Sequence, residues 1–238
     1  MVTPRPVVIY LPGMDGGGKL FYLQEMRLAP YCDVRALSIP LDDRGDWQSL
    51  AQRVYALVPD DRPAILLGES FGGCLALWCA IQRPHLYSHL VLVNPASSWA
   101  RLSWLVQGSR GLNFFPSAIL LALSAVFLPF LCAVQRIQPQ DRSALLNAMT
   151  QVPKPTILHR LNLLENFQLD DYLGNLKLPT LLFGSREDRL LPSLNEVRLL
   201  AQKLPDARVE TLPESGHAAL LEQGVNIAAY LLKYKFLG

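Results

Sequence analysis

The chain has 238 residues, half of them hydrophobic, with 22 basic and 20 acidic side chains and a net charge of +2. A chain of this length and apolar content can bury a large core, and it suits one α/β domain with an inserted subdomain. The nearly balanced charge lacks the basic excess of a nucleic-acid-binding protein, so we expect no nucleic-acid partner.

The cysteine pattern bears on compartment and metal content. Cys32, Cys74, Cys79 and Cys132 show no spacing typical of metal ligands. Two of them lie in an apolar, helix-like segment, where free buried thiols are common. We therefore expect a reducing compartment, no disulfides and no metal. The first apolar run, Val7–Leu11, is too short for the core of a signal peptide, which favours a cytoplasmic location.

Short apolar runs alternate with longer periodic runs along the chain, which predicts a mostly parallel sheet of about six strands with crossover helices. The predicted strands are Val7–Leu11, Val34–Ile39, Ala64–Leu67, His89–Val93, Thr180–Phe183 and Arg208–Leu212. The predicted helices are Trp47–Val58, Cys74–Gln82, Leu194–Leu204 and Ala218–Lys233. A long interruption divides the core, so we expect residues 1–95 and 178–238 to form it and residues 96–177 to form a helical lid.

The stretch Gly68-Glu69-Ser70-Phe71-Gly72-Gly73 lies between a predicted strand and a predicted helix. A serine with a glycine two positions to either side, at a strand-to-helix turn, is the nucleophile-elbow pattern of α/β-hydrolases. The turn is so tight that side chains at Gly68 or Gly72 would collide with neighbouring backbone. We therefore predict Ser70 as the nucleophile, at the N-terminus of a helix that favours developing negative charge.

A serine nucleophile needs a base and a group that orients the base. His217 directly follows the last predicted strand, where the chain order of this fold places the base. The acid is expected after the preceding strand, where Glu187 and Asp188 are adjacent. We favour Asp188 because its spacing to Pro192 resembles the one usual between acid and proline in α/β-hydrolases. We interpret Glu187 as a solvated neighbour, although it stays open as the alternative.

The tetrahedral oxyanion needs two N–H donors. One is expected to be the backbone N–H of Phe71, immediately after the nucleophile. The other is expected from Met14, in the glycine-rich loop after the first strand. This loop lacks the spacing of a dinucleotide fingerprint and of a P-loop, so a nucleotide site is disfavoured. No metal or organic cofactor is needed for this chemistry.

Five segments resemble one branch of the α/β-hydrolases. They are Tyr10–Gly16, Gly68–Leu77, Val93–Ser98, Asp188–Ser193 and Gly216–Glu222. In sequence and in order they are similar to the esterase/lipase/thioesterase group that includes the plastid phytyl ester synthases and their cyanobacterial relatives. The plastid proteins also carry an acyltransferase domain with an H-x-x-x-x-D motif, and no histidine here has aspartate five positions on. The resemblance implies an acyl-ester hydrolase acting on lipid, on a thylakoid-type membrane.

The interruption contains an unusually apolar stretch. No charged residue occurs in Gly111–Gln135, between Arg110 and Arg136. Such a length is a transmembrane candidate, but one crossing would separate Ser70 from Asp188 and His217 across the bilayer. We therefore predict a lid, with Phe114, Phe115, Leu121 and Phe127 as substrate-binding residues.

Two interpretations of this lid stay open. It is either buried against the core in water, or its apolar face enters the bilayer interface with Arg101, Arg110 and Arg136 near anionic headgroups. We favour the second, because the apolar run exceeds what one lid face needs to bury. Peripheral membrane contact through the lid is then expected.

These observations predict a serine hydrolase that cleaves acyl esters of membrane lipids through an acyl-Ser70 intermediate. One alternative is an acyltransferase that passes the acyl group to a hydrophobic alcohol such as phytol or diacylglycerol. A second is a lyase or synthase on the same triad. A third, from a different class, is a non-catalytic membrane-binding protein that kept the fold.

Overall fold

The computed structural model describes residues 5–111 and 128–237. Within them, six strands form one sheet in the order β2-β1-β3-β4-β5-β6, and every neighbouring pair is parallel. The strands are β1 (Val7–Leu11), β2 (Asp33–Ala36), β3 (Ala64–Glu69), β4 (Tyr87–Val93), β5 (Thr180–Ser185) and β6 (Ala207–Leu212). The predicted six-stranded parallel sheet is therefore confirmed.

The helices follow the strands as crossover connections and as an insertion. They are α1 (Tyr22–Leu28), α2 (Trp47–Tyr55), α3 (Phe71–Gln82), α4 (Ser103–Gly111), α5 (Pro139–Gln151), α6 (Lys154–Glu165), α7 (Asp170–Leu173), α8 (Ser193–Lys203) and α9 (Ile227–Lys233). Short 3₁₀ segments occur at Lys19–Phe21, Pro84–Leu86, Ala96–Arg101, Val134–Arg136 and Ala219–Leu221. None of the described helices is long and apolar enough to cross a membrane.

Both faces of the sheet are covered by helices. Along β1, Val7 and Ile9 belong to the core shared with α2, α3 and α8, whereas Val8 and Tyr10 belong to the core shared with α1 and α9. Successive side chains of a strand point to opposite faces, so a strand covered on both sides is apolar at every position. This is why the predicted strands appear in the sequence as continuous apolar runs.

The described residues between β4 and β5 are helical or irregular and contain no strand. Each side of this insertion is tied to the core by an ion pair. Arg101 pairs with the buried Glu196 on α8, and Arg136 pairs with the fully buried Glu222, its Nε lying 2.7 Å from Oε2. The insertion is therefore fixed at both of its roots, beside the carboxyl edge of the sheet.

The single C-terminal helix predicted at Ala218–Lys233 is wrong. The structure has a 3₁₀ turn at Ala219–Leu221, a break, and then α9. Glu222 follows the turn, and its carboxylate accepts from the N–H of Gly216. The side chain of Asn226 then caps α9 by accepting from the N–H of Ala229.

All four cysteines are buried as free thiols. Cys74 and Cys79 lie on α3, and Cys32 follows α1. Cys132 belongs to a small separate cluster with Ile137, Leu145 and Leu221, beneath the returning part of the insertion.

Candidate active site

Ser70 lies at the junction between β3 and α3 in a strained backbone conformation, with φ 52° and ψ −116°. A Cβ added to Gly68 would lie 2.3 Å from the carbonyl oxygen of Gly72. One added to Gly72 would lie 2.1 Å from the carbonyl oxygen of Leu11, at the end of β1. Only glycine is accommodated at these two positions, as the sequence pattern predicts. The tight turn holds the Ser70 hydroxyl at the carboxyl edge of the sheet.

The structure brings Ser70, His217 and Asp188 together from three separate loops. His217 Nε2 lies 2.8 Å from Ser70 Oγ, and His217 Nδ1 lies 2.7 Å from Asp188 Oδ2. An ionised carboxylate only accepts, so Nδ1 carries the proton and Nε2 is left to accept from the serine hydroxyl. His217 is 6% exposed, so the serine proton would be removed in a nearly dry environment.

The surroundings of the two candidate carboxylates differ sharply. Asp188 Oδ1 accepts from the N–H groups of Leu190 and Leu191 at 2.9 and 3.0 Å, and its other oxygen accepts from the Ser193 hydroxyl. The side chain of Glu187 is exposed, and its backbone N–H donates to the Ser215 carbonyl. Of the two, only Asp188 reaches the imidazole.

Burial and charge act in opposite directions on this pair. Burial alone would raise the pKa of Asp188, but the charge and hydrogen bond of His217, with the donors Ser193 and Leu191, hold that pKa below its usual value. Burial alone would lower the pKa of His217, but Asp188 and, more weakly, Glu69 raise it above its usual value. The site therefore stabilises an imidazolium next to an ionised carboxylate.

The loop after β1 passes beside the nucleophile. A Cβ built on Gly13 would lie 3.6 Å from the Ser70 Cβ. Within the described parts of the chain, neither the N–H of Met14 nor the N–H of Phe71 donates to a protein acceptor. Phe71 is the first residue of α3, where the N–H has no partner inside the helix. The two N–H groups expected to bind the oxyanion therefore have no acceptor among the described residues.

Asn94, which follows β4, connects the loop that carries His217 to the end of β5. This role was not predicted from the sequence. Its side-chain amide donates to the carbonyls of Gly216 and His217 at 3.2 and 2.8 Å and accepts from the N–H of Ser185. Its φ of 45° is one that asparagine tolerates better than most residues. An Asn-Pro pair directly after a strand is the sequence signal that could have identified it.

Glu69 is a second residue whose role the sequence did not reveal. It precedes Ser70, and its Oε2 accepts from the Tyr10 hydroxyl at 2.8 Å. Burial raises the pKa of Glu69 to about 7, against the effects of the Tyr10 hydrogen bond and of His217. The carboxyl group thus lies close enough to the imidazole for each to alter the pKa of the other.

Arg160 reaches the oxyanion loop from the insertion. It lies on α6, is 1% exposed, and its Nη1 donates to the Met14 carbonyl at 2.5 Å. A Cβ on Gly16 would lie 2.9 Å from both terminal guanidinium nitrogens, so the side chain packs directly on that glycine. No pattern in the sequence indicated this contact between residues 146 positions apart.

The remaining histidines and the other predicted residues are placed as follows. His89 and His159 contact Ser88 and the Gly45 carbonyl, and His85 is exposed, so none of them joins the site. The predicted substrate-binding residues Phe114, Phe115, Leu121 and Phe127 lie outside the described residues. Arg101, Arg110 and Arg136 are each ion-paired with a glutamate within the chain. Among residues 5–111 and 128–237, no histidine, cysteine and carboxylate cluster could hold a metal ion.

Comparisons with known proteins bear on the family and the fold of this chain. A sequence model of the alpha/beta hydrolase fold matches residues 49–223. Phytyl ester synthase 2 of Arabidopsis thaliana is 27% identical over 96% of this chain, which spans 37% of that protein. Pimeloyl-[acyl-carrier protein] methyl ester esterase of Vibrio parahaemolyticus is 29% identical over 92% of this chain and 89% of the esterase. An esterase structure from Exiguobacterium antarcticum is 18% identical, with a TM-score of 0.77 over 96% of this chain and 91% of the other. The sequence-based resemblance to the phytyl ester synthases is therefore confirmed.

Proposed function

The chain belongs to the alpha/beta hydrolase fold family, and from this premise we propose that it is a serine esterase working through an acyl-Ser70 intermediate. The observation that carries the proposal is the continuous set of hydrogen bonds from Ser70 through His217 to Asp188. In addition, the N–H groups of Met14 and Phe71 have no protein acceptor among the described residues.

The reaction follows from these positions. Ser70 Oγ attacks the ester carbonyl carbon while its proton passes to His217 Nε2, and the carbonyl electrons move to the oxygen between the N–H groups of Met14 and Phe71. The C–O bond to the alcohol then breaks, and the imidazolium returns its proton to the departing oxygen. Water repeats the sequence on the acyl-serine, releasing the acid and restoring Ser70.

The proposed substrates are esters of hydrophobic acyl chains, and the proposed location is the surface of a membrane. Two observations support this choice. Residues 111–135 carry no charge, and the relatives named phytyl ester synthases bear the name of a hydrophobic ester. Acyl transfer to a hydrophobic alcohol is the second candidate, favoured by the word synthase in the names of the same relatives. The proposed membrane contact is through the insertion.

The test compares wild type with Ser70→Ala on a water-soluble p-nitrophenyl ester and with a fluorophosphonate label. Wild type should hydrolyse the ester and accept the label, and the variant should lose both while remaining folded, because the serine hydroxyl contributes little packing. More than a few per cent residual hydrolysis in the variant would remove Ser70 from its role. Product analysis with long-chain esters, with and without a hydrophobic alcohol, separates hydrolysis from acyl transfer.

A further inference from the structure

Arg160 is a buried cation that forms no ion pair with any described carboxylate. None of the ion pairs formed within the described residues involves its guanidinium, although the charges of Asp15 and Asp43 oppose the lowering of its pKa by burial. Burying an unpaired charge is costly. Its hydrogen bonds go instead to main-chain carbonyls, those of Met14 at 2.5 Å and Pro40 at 3.4 Å. The hydrogen bonds that offset the burial of this charge are therefore made to a loop that flanks the active site.

The loop contains a four-residue turn closed by the bond from Gly16 N to the Gly13 carbonyl, at 3.1 Å. In a planar trans peptide the C=O and the N–H point in opposite directions. Since the Gly13 carbonyl points into the turn, the N–H of Met14 points out of it. The next peptide, whose carbonyl belongs to Met14, is the one that Arg160 holds. The turn and the guanidinium thus fix the two peptides on either side of the Met14 Cα.

We propose that Arg160 is a positioning residue for the esterase reaction: it holds the oxyanion loop so that the Met14 N–H faces the developing negative charge. The guanidinium also lies 5.9 Å from the centre of the Phe71 ring, whose residue supplies the second N–H, so one cation contacts both oxyanion-donor residues. Through α6, the insertion becomes part of the catalytic geometry. This inference rests on the proposed function, because it concerns the transition state of that reaction.

The experiment measures kcat and KM on a soluble p-nitrophenyl ester for Arg160→Met and Arg160→Lys. We expect Arg160→Met to lower kcat about 10- to 100-fold, less than the loss of an oxyanion donor itself, with KM within about twofold of wild type. Arg160→Lys keeps the charge and one donor, so it should recover part of the lost kcat. Should the methionine variant prove insoluble, Arg160→Gln replaces it under the same criteria.

A second readout separates positioning from a merely structural role. With a trifluoromethyl ketone, Ser70 Oγ bonds to the carbonyl carbon, its proton passes to His217 Nε2, and the C=O π electrons move to the oxygen. That oxyanion occupies the position of the transition-state charge. Its inhibition constant should rise in parallel with the loss of kcat. The matched control is Arg142→Met on α5, since Arg142 donates to the Ile137 carbonyl inside the insertion. This control should keep wild-type kcat and inhibition.

The outcomes distinguish the two proposals. Unchanged kcat in a folded Arg160→Met variant, or a raised KM with unchanged kcat, overturns the positioning role while leaving the esterase intact. An equal loss in Arg142→Met also overturns it. Activity that survives in Ser70→Ala overturns the proposed function itself, whatever the arginine variants do.

Discussion

Adjacent acidic residues after β5 occupy different environments, and this difference can be tested. Asp188→Asn should lower turnover about 10⁴-fold, because an amide leaves His217 in the wrong tautomer. Glu187→Gln should change turnover little, because that side chain is exposed. It serves as the matched control, since it also removes one negative charge. Steady-state kinetics on a soluble ester checks both, and the reverse ranking would assign the acid to Glu187.

The pH dependence of the esterase should reflect the raised pKa of His217. Protonated His217 cannot act as a base, so activity is expected to fall as the pH drops through a value above the ordinary 6.5 of histidine. Ionised Glu69 helps to raise that pKa, so Glu69→Gln should move the acidic limb of kcat/KM to lower pH. The amide can still accept from the Tyr10 hydroxyl, which preserves the local packing.

The control for this shift is Glu210→Gln on β6, because Glu210 pairs with Lys233 and Tyr234. Its pH profile should match that of wild type. If the acidic limb of kcat/KM in Glu69→Gln stays at the wild-type pH or moves to higher pH, Glu69 does not stabilise the imidazolium.

At the scale of an element, the β3–α3 turn tolerates no side chain at Gly72. Gly72→Ala should lower the free energy of unfolding by about 3 kcal/mol, because the new methyl group would overlap the Leu11 carbonyl and force backbone apart. For a chain of this size that corresponds to a fall of about 6–12 °C in the unfolding midpoint. Differential scanning calorimetry measures it.

The matched control is Gly108→Ala on α4. Among residues 5–111 and 128–237, a Cβ at Gly108 would meet no atom within 4 Å, so alanine should be neutral or slightly stabilising in the helix. Equal destabilisation by both variants would mean that loss of glycine, and not the close approach at the elbow, is responsible.

The sequence predicts those elements whose signal is local. β1 is predicted with its observed bounds because a strand covered on both faces is apolar at every position, and Ser70 is predicted because its turn requires glycines at fixed offsets. Contacts between distant parts of the chain leave no such signal. Examples are the hydrogen bond from Arg160 to the Met14 carbonyl and the one from the Gly216 N–H to Glu222. Neither follows from a periodic pattern, and the break in the predicted C-terminal helix does not either.

At the scale of the whole molecule, the proposed membrane contact has a specific test. Leu121 and Phe127 lie outside the described residues and are chosen from the sequence alone. Leu121→Asp with Phe127→Asp should weaken vesicle binding in a flotation assay, since each change removes about 2 kcal/mol of apolar burial and adds a charge near hydrocarbon. Turnover of a water-soluble ester should survive.

The comparison variant carries Leu199→Asp and Leu232→Asp, at exposed leucines on α8 and α9 outside the insertion. It should float like wild type. If the insertion variant also floats like wild type, the insertion does not dock on lipid, and if it loses soluble-ester activity, the segment belongs to the core. Because Arg101 and Arg136 already pair with glutamates, binding should depend little on anionic lipid.

The four buried thiols should react only slowly with sulfhydryl reagents. Burial raises the pKa of Cys32 and of Cys132 to about 11, and it raises the pKa of Cys74 and of Cys79 as well. At neutral pH only about one in 10⁴ of the Cys32 and Cys132 thiols is then the reactive thiolate. A maleimide dye will therefore label a cysteine introduced at the exposed Gly108 while the native four remain in place. Fluorescence from that one position on α4 can follow the insertion as the protein meets a vesicle.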